Sequence, residues 1–368
     1  MSGEAGAGGD GPLRGVRVLE FGGMGPGPFA AMMLGDAGAD VARLERPGGF
    51  TAVAAKDATL RSRDIVEIDL KSEAGRAAAL AMIDKADILI EGFRPGVMER
   101  LGFGPELCLE RNPALVYGRM TGWGQEGPLS QSAGHDINYI ALAGALHPIG
   151  PADAPPPPPL NMLGDYGGGG MLLAFGVLAA LTQARASGRG QVVDAAMCDG
   201  AALLATLMHG WLADGVWSAQ RQSNILDGAA PYYRCYACAD GGYMAVGAIE
   251  AKFYAALLEG LGLSAEPLFD QQNARDRWPA QTARIAQVFA ERPRAQWERV
   301  FAGTDACATP VLGLDEAPSH PANIARDVFV EIDGAATPAP APRFGAAASR
   351  ARAPRDCDVE TVLKRWDR

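Results

Sequence analysis

The sequence predicts an α/β fold: a Rossmann-like, doubly wound large domain together with a smaller α/β domain. Three observations predict it. Over the first 200 residues short apolar segments alternate with helical ones, the pattern of a parallel sheet wound by helices. Glycines close the strand segments, as in Gly22-Gly23 and Gly122-Trp123-Gly124. After about Gly215 the composition shifts, and a second, shorter set of strand and helix signals begins. A chain of 368 residues is long enough for two domains, or for one large domain with a smaller one inserted.

The elements follow in order. Val16–Phe21 is an apolar strand, and Pro28–Leu34 a helix of small and apolar residues that closes near Gly38. Val41–Leu44, Asp87–Glu91 and Leu115–Met120 are further strands, the second entered from a helix over Glu73–Lys85. Pro155–Pro159 can be neither helix nor central strand and reads as a stiff surface connector. A long helix beginning near Gly168 ends near Gly188, followed by a strand over Gln191–Met197 and a helix over Gly200–Leu212. The second half predicts a strand at Tyr243–Ile249, helices at Ala251–Leu261, Ala280–Arg292 and Arg294–Phe301, and a strand starting at Val311. The expected division is 13–200 with 325–368 as the large domain, 201–232 as a linker helix region, 233–318 as the small domain and 319–324 as the return linker. Residues 1–12 read as a disordered tail, and the Pro- and Ala-rich stretch from Ala335 to Ala353 as an extended arm.

Composition excludes several classes of function. The net charge of −10 opposes bulk electrostatic binding of nucleic acid, so an anionic ligand must be met by local arginines. The longest apolar run, Met171–Leu181, is broken by Gly176 and is shorter than the roughly 20 residues of a membrane helix. The N-terminus lacks a basic segment followed by an apolar one, so no export signal is expected and a cytoplasmic location is. The six cysteines then read as reduced thiols. Cys235 and Cys238 form a C-x-x-C, but no second pair or His pair accompanies them, and no metal site is predicted.

Few residues can carry chemistry. Of four histidines, His135 stands out in Gly134-His135-Asp136-Ile137-Asn138-Tyr139. Asp136 is a good N-cap there, which sets His135 just before a helix whose free N–H groups can hold an oxyanion. Asp165 precedes a Gly-rich helix start, where capping is the plain structural role. Glu250 ends a strand and complements the dipole of the next helix. The turn Gly22-Gly23-Met24-Gly25-Pro26-Gly27-Pro28 fails the dinucleotide fingerprint, because Pro28 stands at the third glycine position. Arg46 follows the second strand instead of an acidic residue, which suits a phosphorylated ribose such as that of coenzyme A. Arg63, Arg94 and Arg100 extend the basic set, although solvated faces with local ion pairs account equally well for any one of them.

Four segments taken together resemble the family III CoA-transferase superfamily. They are Gly25-Pro26-Gly27-Pro28, Ile90-Glu91-Gly92-Phe93-Arg94-Pro95-Gly96, Thr121-Gly122-Trp123-Gly124-Gln125-Glu126-Gly127-Pro128 and Gly188-Arg189-Gly190-Gln191-Val192-Val193-Asp194-Ala195. The segments around His135 and Gly247-Ala248-Ile249-Glu250 are similar to those of the racemase branch, the α-methylacyl-CoA racemases. Asp165 matches a position shared with the transferases, where the aspartate forms an acyl anhydride.

The resemblance implies interconversion of (R)- and (S)-2-methylacyl-CoA by 1,1-proton transfer through an enolate. His135 would serve the S face and Asp165 the R face, with Glu250 orienting His135 and the N–H of Asp136 holding the enolate oxygen. Asp165 should then have a raised pKa through burial. Arg46, Arg63, Arg94 and Arg100 would meet the phosphates of CoA, with Met197 and Met208 open to the acyl group. No cofactor beyond the CoA moiety, no nucleic acid and no membrane is implied. The resemblance also implies an interlocked homodimer.

Overall fold

A computed structural model describes residues 11–49, 57–345 and 351–367. The chain divides into two compact units. The first takes the described residues up to Ala145, Pro158–Ala205 and those from Ala322 onward; the second takes Leu146–Pro157 and Thr206–Pro321. The segment expected as a linker, 201–232, is therefore split, with most of it part of the second unit.

Six strands wind the first unit: β1 (Arg17–Phe21), β2 (Asp40–Glu45), β3 (Asp64–Glu67), β4 (Ile88–Glu91), β5 (Val116–Thr121) and β6 (Gln191–Ala196). Their order is β3-β2-β1-β4-β5-β6, and a short strand at Arg355–Asp356 adds beside β3, all parallel. The order reverses between β1 and β4, the place where such sheets bind ligands at their carboxyl ends.

The side-chain period of two divides each central strand between two cores. Val18, Val41, Ile88 and Ile90 pack with the helices Pro26–Asp36 and Leu172–Ser187. Leu19, Phe21, Leu44 and Leu89 pack with Met82 and Ile83 of the helix Glu73–Ile83 and with Trp366 of the last helix, Val359–Trp366. Burial on both faces explains why these strands read as apolar runs without alternation.

The C-terminal segment is integral to this unit. Asp64, fully buried, pairs with Arg352 at 2.8 Å, Arg355 at 2.6 Å and Arg365 at 2.9 Å. The start of the expected extended arm is instead a strand, Ala335–Pro338, paired antiparallel with Phe329–Ile332 just before it. Residues 346–350 of that arm, and residues 1–10 of the expected tail, lie outside the described residues. Gly11 is buried and ordered by the bond from Arg14 N to its carbonyl.

The long helix also differs from expectation. It runs unbroken over Met162–Ser187, 26 residues, passing through Gly176. By length and composition alone it could cross a membrane; half of its most apolar stretch is buried in this unit. Its first part, Met162–Met171, is a wide π-type turn, with Tyr166 N bonded to Asn161 O five residues back.

In the second unit β7 (Tyr233–Ala237), β8 (Tyr243–Gly247) and β9 (Ala308–Pro310) form an antiparallel sheet. Helices Ala251–Leu261, Trp278–Phe289 and Arg294–Phe301 surround a core of Tyr236, Phe289, Trp297 and Phe301. Cys235 lies exposed on β7 and Cys238 is buried just past it, so the C-x-x-C straddles a strand end.

Candidate active site

A cavity of about 270 Å³ opens at the carboxyl ends of β1, β4 and β5 in the first unit. Met24 and Pro26 after β1, Phe93 and Arg94 after β4, and Trp123 and His135 after β5 form its walls. The loop after β4 is fixed from below. Glu91, buried, accepts a bond from Phe93 N at 2.8 Å and one from Arg119 Nε at 2.9 Å, and Arg119 also reaches Glu99 at 2.9 Å. Neither Glu91 nor Arg119 was singled out from the sequence; a glutamate closing an apolar strand directly before Gly-Phe-Arg-Pro was the available signal.

His135 is exposed, and it is the N-cap of the helix Asp136–Leu142. This corrects the expected cap, Asp136, which is instead the first helical residue. The backbone decides: His135 is extended (φ −132°, ψ 174°), and its N–H is answered by Asn138 Oδ1 at 3.0 Å. The helix is anchored by Tyr139, whose ring meets Trp123 edge-on at 4.8 Å. A Cβ on Gly122 would come within 2.1 Å of that ring, so glycine is required for the approach.

Asp136 turns inward. Its Oδ2 accepts the N–H groups of Gly164 at 2.6 Å and Asp165 at 2.7 Å, while its Oδ1 is buried without a partner. A Cβ on Gly164 would stand 2.7 Å from that carboxylate, so only glycine admits the contact. Asp136 thereby ties the wide turn carrying Asp165 to the helix carrying His135.

Asp165 is half-buried within the π-type turn, not before a helix as its expected capping role required. Its carboxylate accepts from Asn161 at 3.3 Å and would lie 3.4 Å from a Cβ added to Gly25, between the cavity residues Met24 and Pro26. Burial raises its pKa; the Asn161 bond opposes, the Asp136 charge adds to the rise, and His135 opposes. The structure thus brings His135, Asp136 and Asp165 together in one unit.

Glu250 belongs to the second unit, as the exposed N-cap of the helix Ala251–Leu261. Its carboxylate caps none of the helix N–H groups, so the dipole-complementing role expected from sequence involves no cap bond. Gln272 Nε2 fixes the preceding carbonyl of Ile249 at 2.7 Å.

The arginines divide. Arg94 is exposed and lines the cavity, Arg100 is exposed on the next helix, and Arg46 is exposed after β2. Arg63 is not available to a ligand. It is fully buried, paired with Glu20 and bonded to Pro28 O at 2.8 Å, so its charge is consumed inside the fold. Glu20 also accepts Arg43 at 2.6 Å, and that pair of arginines needs the strand-borne glutamate as their common counter-charge. Met197 lines the cavity, whereas Met208 lies in the other unit.

An exposed histidine and a carboxyl of raised pKa beside one cavity can take and return a proton in turn.

The sequence profile of CoA-transferase family III matches residues 13–357. The chain is 47% identical over 330 residues to α-methylacyl-CoA racemase of Mus musculus, covering 90% of this chain and 85% of that one. It is 44% identical over 331 residues to the racemase of Homo sapiens, covering 89% and 86%. In fold it resembles the crystal structure of a CAIB/BAIF family protein from Brucella suis, with a TM-score of 0.82 and 23% identity over 96% of this chain and 99% of that one.

Proposed function

Because the chain belongs to CoA-transferase family III, we propose that it is a racemase that interconverts (R)- and (S)-2-methylacyl-CoA thioesters. The observation that carries this reading is His135 on the wall of the switch-point cavity, with the raised-pKa Asp165 tied to its helix through Asp136. The relatives at 47% and 44% identity, named as racemases of this substrate class, support it.

The hydrogen beside a thioester carbonyl is a very weak acid, so its removal needs a base within reach and a donor for the enolate oxygen. In one direction the His135 imidazole takes the C2 proton and leaves a planar enolate. Asp165, protonated, delivers its proton to the opposite face, and the inverted thioester results. In the other direction the two exchange roles. A raised pKa suits Asp165 to the protonated half of that cycle. The first-turn N–H of Asp136 has no acceptor within its helix and is assigned the enolate oxygen, a contact of about 3–4 kcal/mol in the transition state.

Glu250 is assigned the support of His135. Arg46, Arg94 and Arg100 are assigned the CoA phosphates, and the CoA moiety is the only cofactor chemistry the reaction needs. A homodimer belongs to the same reading. Large apolar side chains that stand in water on the first unit support it, among them Leu160, Met162, Phe175 and Leu203.

The test is proton exchange. A pure 2-methylacyl-CoA epimer is incubated in deuterated water, and C2 is followed by NMR and chiral separation. Deuterium at C2 together with the opposite epimer is the expected result. No exchange, with CoA passing to an added free carboxylate, overturns the reading in favour of a transferase that uses Asp165 as nucleophile.

A further inference from the structure

The second unit contains an open cavity of about 530 Å³ that the proton transfer does not use. Ser218, Ser223, Arg234, Arg275, Trp278 and Thr282 line it. Two arginines, Arg234 and Arg275, therefore line one space, and neither is paired with a carboxylate among the described residues. Arg234 lies on β7, opposite Val246 of β8. Its Nε is buried without a hydrogen-bond partner, and its guanidinium lies over the Tyr236 ring at 5.5 Å. Arg275 stacks over Trp278 at 5.6 Å and spends one long bond, 3.4 Å, on Val216 O.

The loop that closes the cavity is pre-formed. Asn224, 1% exposed, holds Ser218 in both directions, at 2.8 Å and 3.0 Å. The carboxylate of this loop, Asp227, is committed to the N–H groups of Ser223 at 3.0 Å, Asn224 at 2.9 Å and Ala229 at 3.2 Å. It forms no ion pair with Arg234 or Arg275 among the described residues. In the same loop, directly before the cavity residue Gln222, Arg221 keeps Nε and Nη1 buried and unpartnered as well.

Buried guanidinium donors without partners are costly, and a compact chain retains them where a ligand supplies the acceptor. Serine and threonine hydroxyls around two forked cations, with an indole as floor, are the chemistry of oxyanion recognition. We propose that this cavity binds an oxyanion, a carboxylate or phosphate group presented either by a small molecule or by a second copy of the chain. The proposal stands apart from the racemase reading, since no residue of that reaction lines the cavity.

The experiment titrates inorganic phosphate and, separately, succinate into the full chain by calorimetry, with sedimentation run at each end point. Saturable binding that Arg234→Gln and Arg275→Gln each weaken at least tenfold, with the exposed Arg299→Gln as an unaffected control, is the result expected for a small-molecule oxyanion. Self-association that phosphate and Arg234→Gln both weaken is the result expected where the carboxylate comes from a second copy. Both variants should keep the wild-type deuterium-exchange rate at C2 per folded chain. The proposal is overturned if neither anion binds saturably and association responds to neither phosphate nor the substitutions.

Discussion

Asp136→Asn separates the geometry of the candidate site from its charge. The side chain is 5% exposed, and its Oδ2 holds the Gly164 and Asp165 N–H groups at 2.6 and 2.7 Å. A hydrogen bond to a charged acceptor contributes about 1.5–3 kcal/mol and a neutral one about 0.5–1.5 kcal/mol, so neutralising this acceptor loses about 2–3 kcal/mol over the two bonds. The amide must keep its oxygen on those N–H groups, which sends its NH2 to the buried, partnerless position of Oδ1 at a further cost of about 1–3 kcal/mol. Relief of repulsion against Asp165 offsets part of this. The expected net effect is a loss of about 3 kcal/mol, read by urea unfolding followed by circular dichroism. A second readout is independent of stability. Without the Asp136 charge the Asp165 pKa falls, so the acid limb of the C2 exchange rate moves to lower pH. An unfolding free energy within about 0.5 kcal/mol of wild type, together with an unmoved acid limb, would refute the tie between the two elements.

Three other outcomes follow from the same geometry. His135→Ala and Asp165→Ala should each lower turnover by about 10²–10⁴-fold with an unchanged circular dichroism spectrum, and near-wild-type turnover in either would end the two-base mechanism. Arg63→Ala leaves Glu20 with Arg43 alone and should cost about 3–5 kcal/mol of stability; a fully stable variant whose only defect is a raised KM for the thioester would contradict its burial. Because folding raises the Asp165 pKa, the fold favours its protonated form, and stability is lost as pH rises from the ordinary carboxylate range through the raised value. Asp165→Asn should lose less stability than wild type between acidic and neutral pH, and parallel unfolding curves for the two proteins would count against the raised pKa.

The sheet was legible because its central strands are buried on both faces, so the apolar run Ile88–Ile90 stands out unbroken and Val18–Phe21 is interrupted only by Glu20. β3 was not, since Asp64 and Glu67 at its ends give it the look of a loop, and Asp64 is accommodated only by arginines far along the chain. The last helix, Val359–Trp366, was missed although its signal is local: Val359, Val362, Leu363 and Trp366 recur at helical spacing behind the cap Asp358. In the site, residue types only drew attention to His135 and Asp165, the family resemblance supplied their expected roles, and local spacing misassigned their settings. The cap moved from Asp136 to His135 because the Asp136 carboxylate is drawn to backbone donors at Gly164 and Asp165, a contact no local pattern records. Arg63 looked like its exposed neighbours in sequence; only the fold reveals Glu20 beside it.

The return of the chain end to the sheet has a consequence for the order in which the protein is made. The strand Arg355–Asp356, the three arginine partners of Asp64 and the buried Trp366 are all made after every other strand of the sheet and after the second unit. Until they leave the ribosome, β3 is an open edge and Asp64 a carboxylate without its cations. The second unit is complete by Pro321 and can close its antiparallel sheet while the rest is still being synthesised. The unit that holds His135 and Asp165 is begun before the second unit and finished after it, so a nascent chain that reaches Asp165 but stops short of Arg352 carries both residues on a sheet that has not yet been sealed.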